Sequence, residues 1–284
     1  MDDPQAAAEQ NRRSWNAVVP VHASHRSGEA GFLAAGGLTI FPEEQALLGD
    51  LKGLRLLHLM CNAGQDTLSF ANLGAEVVGV DISDAAIESA RMLAVAAGIP
   101  ATFVRADVYD YLDTAVVAGE RYERIYCGYG AICWLYDVAR FAAGVAALLA
   151  PGGRFVLLEF HPLSNIFDRE WRLIADYPQA GATLDLDGVG DYVGAAAGGL
   201  SPAGFAPGVA GFVNPHGCRL YRWGLGEVVS AFCTAGLRPT ALHEYGYVNG
   251  ERPFAGMRSA ADRRNYPPET VPRIPLMYGF AAER

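Results

Sequence analysis

Residues 55 to 84, Arg-Leu-Leu-His-Leu-Met-Cys-Asn-Ala-Gly-Gln-Asp-Thr-Leu-Ser-Phe-Ala-Asn-Leu-Gly-Ala-Glu-Val-Val-Gly-Val-Asp-Ile-Ser-Asp, decide the fold. Leu54 to Met60 reads as an apolar strand, Gln65 to Asn72 as a short helix closed by Gly74, and Glu76 to Val80 as a second strand ending on Asp81. This unit sets a helix N-terminus beside an acid able to hold a ribose diol, which is how nucleotide-type cofactors are gripped. The plainer alternative is an ordinary βαβ crossover whose Asp81 merely caps the helix at Ser83, because Gly64 alone survives of the usual glycines.

Outward from this unit the chain alternates as βα units do. Ser83 and Asp84 open a helix carrying Ile87, Ala90, Ala94 and Ala97, ended by Gly98 and Pro100. Thr102 to Arg105 and Ile125 to Gly128 read as strands, Asp137 caps a helix stopped by Pro151-Gly152-Gly153, and Arg154 to Phe160 reads as a buried strand. A parallel sheet with helices on both faces follows, and its ligands collect at the carboxyl ends of the strands. Met60, Asp81, Asp107, Gly128 and His161 occupy such ends.

The flanks differ. Residues 5 to 19 read as a helix stopped by Pro20, and Pro42 opens another through Leu48; residues 1–50 are expected to form a helical cap. His22 and His25, spaced i, i+3, lack a third ligand nearby, so no metal site is expected. Residues 162–222 break the rhythm with a long structureless connection rich in Gly, Ala, Pro and aromatics, expected to be a substrate lid or else an insertion with no role. A helix through Val228, Val229 and Phe232, a strand from Pro239 to Tyr245, a polar loop from Asn249 to Pro272 and a strand from Ile274 to Ala281 complete the chain, the last pair antiparallel.

Composition bounds the function. The 284 residues are 51% hydrophobic and 19% charged, which excludes a disordered chain. A formal net charge of −9 argues against a nucleic-acid partner, since phosphate contacts need clustered Lys and Arg, and favours a small molecule. Five cysteines without CxxC spacing (Cys61, Cys127, Cys133, Cys218 and Cys233) read as reduced thiols. The acidic Met-Asp-Asp-Pro start has no signal-peptide h-region and no run reaches the ~20 apolar residues of a membrane span, so the expectation is a soluble cytoplasmic monomer or homodimer.

Five pieces, in order, resemble class I S-adenosylmethionine-dependent methyltransferases of the small bacterial metabolite type: His58 to Asp66, Val78 to Ser83, Arg105 to Val108, Tyr129-Gly130-Ala131 with Trp134-Leu135, and Leu149 to Phe155. The resemblance implies a doubly wound, seven-stranded, mostly parallel Rossmann-like α/β sheet, with residues 51–284 as the methyltransferase domain and the insertion 162–222 inside it. It further implies that S-adenosylmethionine lies over the turn formed by Met60, Cys61, Asn62, Gly64, Gln65 and Asp66. Asp81 would take the ribose hydroxyls with Ile82 against the adenine, Asp107 would take the adenine amino group between Ala106 and Val108, and Cys127, Gly128 and Tyr129 would floor the sulfonium. His58 stands where the family commonly has an acid, and Met60 and Asn62 where it has glycines; Asn tolerates the left-handed conformation.

Methyl transfer asks the protein to align a nucleophile and exclude water. His161 is the first candidate for base or substrate anchor, unless His161-Pro162 is only a rigid exit turn, and Tyr129 is expected to contact substrate or sulfonium. Trp15, His22, His25, Trp171, Tyr221 and Trp223 are the expected aromatic wall, so that with Tyr129 and His161 the site would enclose a small aromatic or heterocyclic metabolite, as in secondary metabolism. The rivals are a cofactor-binding enzyme that does other chemistry, such as internal cyclisation of S-adenosylmethionine; an NAD-dependent oxidoreductase, disfavoured by the two missing glycines; and a non-catalytic cofactor sensor.

Overall fold

A computed structural model describes residues 3–177 and 180–284. Met1 and Asp2 of the acidic start, and Pro178 and Gln179 of the 162–222 insertion, lie outside the described residues. Three helices, α1 (Pro4–Ser24), α2 (Glu29–Ala34) and α3 (Pro42–Leu48), precede β1 (Arg55–Leu59). The alternating part follows as α4 (Gln65–Asn72), β2 (Glu76–Asp81), α5 (Asp84–Ala97), β3 (Thr102–Arg105), α6 (Val108–Val117), β4 (Tyr122–Gly128), α7 (Val138–Leu148) and β5 (Leu149–Phe160). The insertion contains β6 (Ala182–Leu186), α8 (Tyr192–Ala195) and β7 (Cys218–Arg222). The chain closes with α9 (Leu225–Thr234), β8 (Arg238–Tyr245), the short β9 (Val248–Asn249), β10 (Arg258–Ser259) and β11 (Arg264–Tyr266), and β12 (Met277–Glu283).

Seven strands form one sheet in the order β3-β2-β1-β4-β5-β12-β8. All neighbours are parallel except β12, which runs antiparallel to both β5 and β8. Helices cover both faces, so the central strands are apolar throughout rather than alternating; Leu56, Leu57, Ile125, Phe155, Val156, Leu157 and Leu158 are fully buried. From β1 the chain first winds outward to β2 and β3, then returns to β4 on the other side of β1. That reversal leaves a crevice at the carboxyl ends of β1 and β4, where an open α/β sheet binds its ligand.

Several expectations need correction. Helix α1 continues through Pro20 to Ser24. Proline removes one backbone donor, but Val18, Val19, Val21 and His22 are buried on both sides of it, and this packing carries the helix across. Helix α6 was not anticipated, although Asp107 caps it and Val108, Leu112 and Ala115 keep helical spacing. Strand β5 begins at Leu149, so Pro151-Gly152-Gly153 lies within it rather than ahead of it, with a register irregularity against β4 between Tyr122 and Arg124. The insertion is not structureless: β6 and β7 pair antiparallel over five residues each, Ala182 against Arg222 through Leu186 against Cys218. The last strand starts at Met277 rather than Ile274, and the polar loop before it contains the β10-β11-β9 sheet.

Candidate functional site

The turn after β1 carries three residues with positive φ: Met60 at 56°, Asn62 at 50° and Gly64 at 81°. Gly64 is required for a second reason, since a Cβ there would lie 2.7 Å from Ala90 Cβ and 2.8 Å from the Phe103 ring. The turn is held by Cys61 N–H donating to Val80 O at 2.9 Å and Asn62 N–H donating to Asp81 Oδ2 at 2.8 Å. Asp81 Oδ1 accepts from Ser83 N–H at 2.8 Å, so the carboxylate keeps lone-pair capacity for a ligand. Burial pushes its pKa up to about 6, against the backbone donors that lower it. Asp107, at the end of β3, caps α6 by accepting from Tyr109 N–H at 2.8 Å, and burial raises its pKa too.

A cavity of about 590 Å³ opens over this turn. Its floor includes Met60, Cys61, Asn62, Gln65, Asp66, Asp81, Ile82, Ala106, Asp107, Val108, Gly128 and Tyr129. One end is charged. Glu44 from α3 is fully buried there; its Oε2 accepts from Phe41 N–H at 2.9 Å, while Oε1 has no hydrogen-bond partner among the described residues. Burial, and then the nearby Asp66, raise the Glu44 pKa well above the usual carboxylate range. Asp66 accepts from Thr39 Oγ1. Two guanidiniums share this end: Arg263 lies over the Phe41 ring at 4.1 Å and donates to Thr39 O at 3.1 Å, and Arg26 Nε stands 3.7 Å from Glu29. His58 brings no charge. It is buried with Nδ1 2.8 Å from Thr67 Oγ1, and burial lowers its pKa to about 3.

Part of the cavity wall is aromatic. Trp15, Trp134, Tyr136, Tyr192 and Tyr221 line it, with Trp15 in edge contact with Trp134 at 5.6 Å and with Tyr192 at 6.3 Å. Asn62 Nδ2 donates to the Tyr192 hydroxyl at 3.3 Å, joining turn and insertion. Tyr129, with φ 42°, accepts from Asn249 Nδ2 at 3.0 Å. Its strained turn is held by Glu159, which accepts from the N–H groups of Gly130, Ala131 and Ile132.

Of the residues expected around the cofactor, Gly64 and Cys127 do not line the cavity: Gly64 backs onto Ala90 and Phe103, and Cys127 is wholly buried in the sheet core. Of the expected substrate wall, only Trp15, Tyr129 and Tyr221 line it. His161 does not line the cavity. Its Nδ1 accepts from Leu163 N–H at 3.1 Å and its Nε2 lies 3.0 Å from Glu244, which makes it an exit-turn residue. His22 and His25 bind the insertion rather than the cavity, His22 Nε2 lying 3.2 Å from Gly190 O and His25 Nε2 2.8 Å from Asp191. Trp171 stacks on Phe254 at 4.1 Å and donates to Ala255 O, while Trp223 packs into the main core and donates to Leu135 O at 2.7 Å.

Sequence reasoning missed Glu44, Arg26, Arg263, Tyr192 and Glu251, all on the cavity wall. Only Glu44 carried a signal, three residues after Phe41 at a helix start, and that pattern predicts a cap rather than a ligand. Among the described residues, no group of three His, Cys, Asp or Glu stands at metal-binding geometry, and no helix is long and apolar enough to cross a membrane.

The donor set fits S-adenosylmethionine. The unpartnered Glu44 oxygen and Asp66 suit an ammonium, Arg26 and Arg263 a carboxylate, Asp81 a ribose diol, and Asp107 an amino group on an adenine lying against Ile82. Comparison with known proteins agrees. The methyltransferase domain family matches residues 56–153. An S-adenosyl-L-methionine-dependent Diels-Alderase of Talaromyces variabilis is 29% identical over 43% of this chain and 42% of its own length. A ubiquinone biosynthesis O-methyltransferase of Rhodopseudomonas palustris is 28% identical over 61% of this chain and 65% of its own. The chain thus spans less than two thirds of either relative. An S-adenosylmethionine-dependent methyltransferase from Mesorhizobium loti shares the fold at TM-score 0.55 and 20% identity, covering 87% of this chain and 99% of that one. The CcbJ methyltransferase of Streptomyces caelestis does so at 0.57 and 15%, covering 96% and 98%. The turn, the strand-end acids and these likenesses converge on one description: residues 56–153 match the methyltransferase domain family, and the chain shares the fold of S-adenosylmethionine-dependent methyltransferases.

Proposed function

We propose that the chain transfers a methyl group from S-adenosylmethionine to a small aromatic or heterocyclic acceptor held in the enclosed cavity. The observation that carries this reading is the continuity of one cavity from the charged end at Glu44 and Arg263, past Asp81 and Asp107, to the aromatic wall of Trp15, Trp134 and Tyr221. Residues 1–50 serve as its cap and 162–222 as its lid, joined by His22 and His25 on one side and Gly190 and Asp191 on the other. Bound S-adenosylmethionine supplies an electrophilic methyl on sulfur. The protein anchors both ends of that molecule, lines the remaining space with rings, and keeps water out, so that an in-line approach replaces a bimolecular encounter.

The kinship to a Diels-Alderase supports a second reading, in which the cofactor is bound without giving up its methyl. Mass spectrometry after incubation with S-adenosylmethionine and a panel of aromatic acceptors separates the two. Methyl transfer yields S-adenosylhomocysteine in equal amount to methylated acceptor, internal cyclisation yields methylthioadenosine, and a cofactor that serves without reacting is recovered intact.

A further inference from the structure

One cavity-lining carboxyl has no task in the folded chain. Glu251 follows β9 in the polar loop, and its backbone is fixed at both ends: its N–H donates to Asn249 O at 2.8 Å and its carbonyl accepts from Asn265 Nδ2 at 2.9 Å. Its carboxyl makes no hydrogen bond or ion pair among the described residues and faces the cavity. Glu159, the neighbouring acid on β5, is spent on three backbone donors of the Tyr129 turn.

Resting on the methyltransferase reading, we infer that Glu251 is the general base for an acceptor hydroxyl, which makes the acceptor class a phenol or enol-type aromatic alcohol. The surroundings fit. The charged and titratable groups facing it are Glu159 from β5, Tyr192 from α8, and beyond Tyr192 Arg26 and Asp81. Arg252 on its own loop turns to Met257 O, and Arg263 to Thr39 O and the Phe41 ring, so neither neutralises it. Burial first, and Glu159 second, push its pKa up to about 7, the range in which a carboxylate is both ionised and basic at neutral pH.

The choice of hydroxyl over amine follows from charge. An aromatic amine is uncharged at neutral pH and attacks with its own lone pair, so it needs no base before methyl transfer. A hydroxyl surrenders its proton and becomes the nucleophile. In the step, the acceptor proton passes to Glu251, the acceptor oxygen gives an electron pair to the methyl carbon, and the carbon–sulfur bond breaks with its pair kept on sulfur. The rings of Trp15, Trp134, Tyr192 and Tyr221 supply the flat apolar surface an aromatic acceptor needs.

The test compares wild type with Glu251→Gln on ring-matched phenols, catechols and anilines. The expected result is oxygen methylation by wild type, lost about 10²- to 10⁴-fold in kcat/KM in the variant along with the rising limb of the pH profile, with S-adenosylhomocysteine affinity within twofold. Independently of turnover, carbon-13 NMR of glutamate-labelled, S-adenosylhomocysteine-loaded protein should show a carboxyl titrating near pH 7 that Glu251→Gln lacks. An unchanged rate and pH profile in the variant, preferential methylation of anilines, or S-adenosylhomocysteine binding with no oxygen methylation each overturns the base. Failure of wild type to bind S-adenosylhomocysteine overturns instead the cofactor reading beneath it.

Discussion

Asn62 donates its backbone N–H to Asp81 Oδ2 at 2.8 Å, tying the turn after β1 to the last residue of β2. The bond orients the acid and stabilises a turn in which Met60 and Asn62 both take the left-handed conformation, a geometry costing roughly 1–2 kcal/mol per non-glycine residue. Turn and acid therefore form one unit, and each part of the cavity can be probed against it.

Glu44→Gln keeps an oxygen to accept the Phe41 N–H and removes the charge. S-adenosylhomocysteine affinity should fall by ~1.5–3 kcal/mol, the value of a hydrogen bond to a charged group, while 5′-methylthioadenosine, which lacks the amino-acid part, binds as before. In the free protein the Glu44 pKa lies well above the usual range, so binding an ammonium expels its proton and affinity rises with pH. The variant should lose that slope. Calorimetry with both ligands decides, and equal weakening of the two would remove Glu44 from this end of the site.

The pH dependence of stability has a defined sign at His22. Burial lowers its pKa to about 4 from an ordinary 6.5, so between these values the unfolded chain binds a proton that the folded chain does not. Its stability contribution is complete above pH 6.5 and is lost as pH falls toward 4. Relative to wild type, His22→Gln should gain ~1.4 kcal/mol per pH unit as acidity increases across that window. Denaturant melts at several pH values would show it, and parallel stability curves for the two proteins would rule it out.

Asp191→Ala removes the partner of His25 and the cap of α8. Opening of residues 189–208 should become easier by ~1–3 kcal/mol, read as faster amide exchange there with the β1 and β4 amides unchanged. Uniform acceleration across the whole chain would mean that cap and insertion do not open as a unit.

Much of this was legible in the sequence because periodicity and turn chemistry are local. Asp81 and Asp107 could be placed at strand ends from the apolar runs before them, and the antiparallel last pair from the missing crossover helix. Pro20 misled because a local breaker was outweighed by packing with distant partners. His161, Trp171 and Trp223 misled because their chain position says nothing of where the side chain turns, which Glu244, Phe254 and Leu135 decide. Glu44, Arg263 and Glu251 come from segments on opposite sides of the βα units and meet only in the folded chain.

The most direct test of the central claim is calorimetric titration of S-adenosylmethionine and S-adenosylhomocysteine into wild type and Asp81→Ala. The ribose assignment predicts that the substitution weakens both ligands by ~1.5–3 kcal/mol. Unchanged affinity for both would contradict it and place the ribose elsewhere.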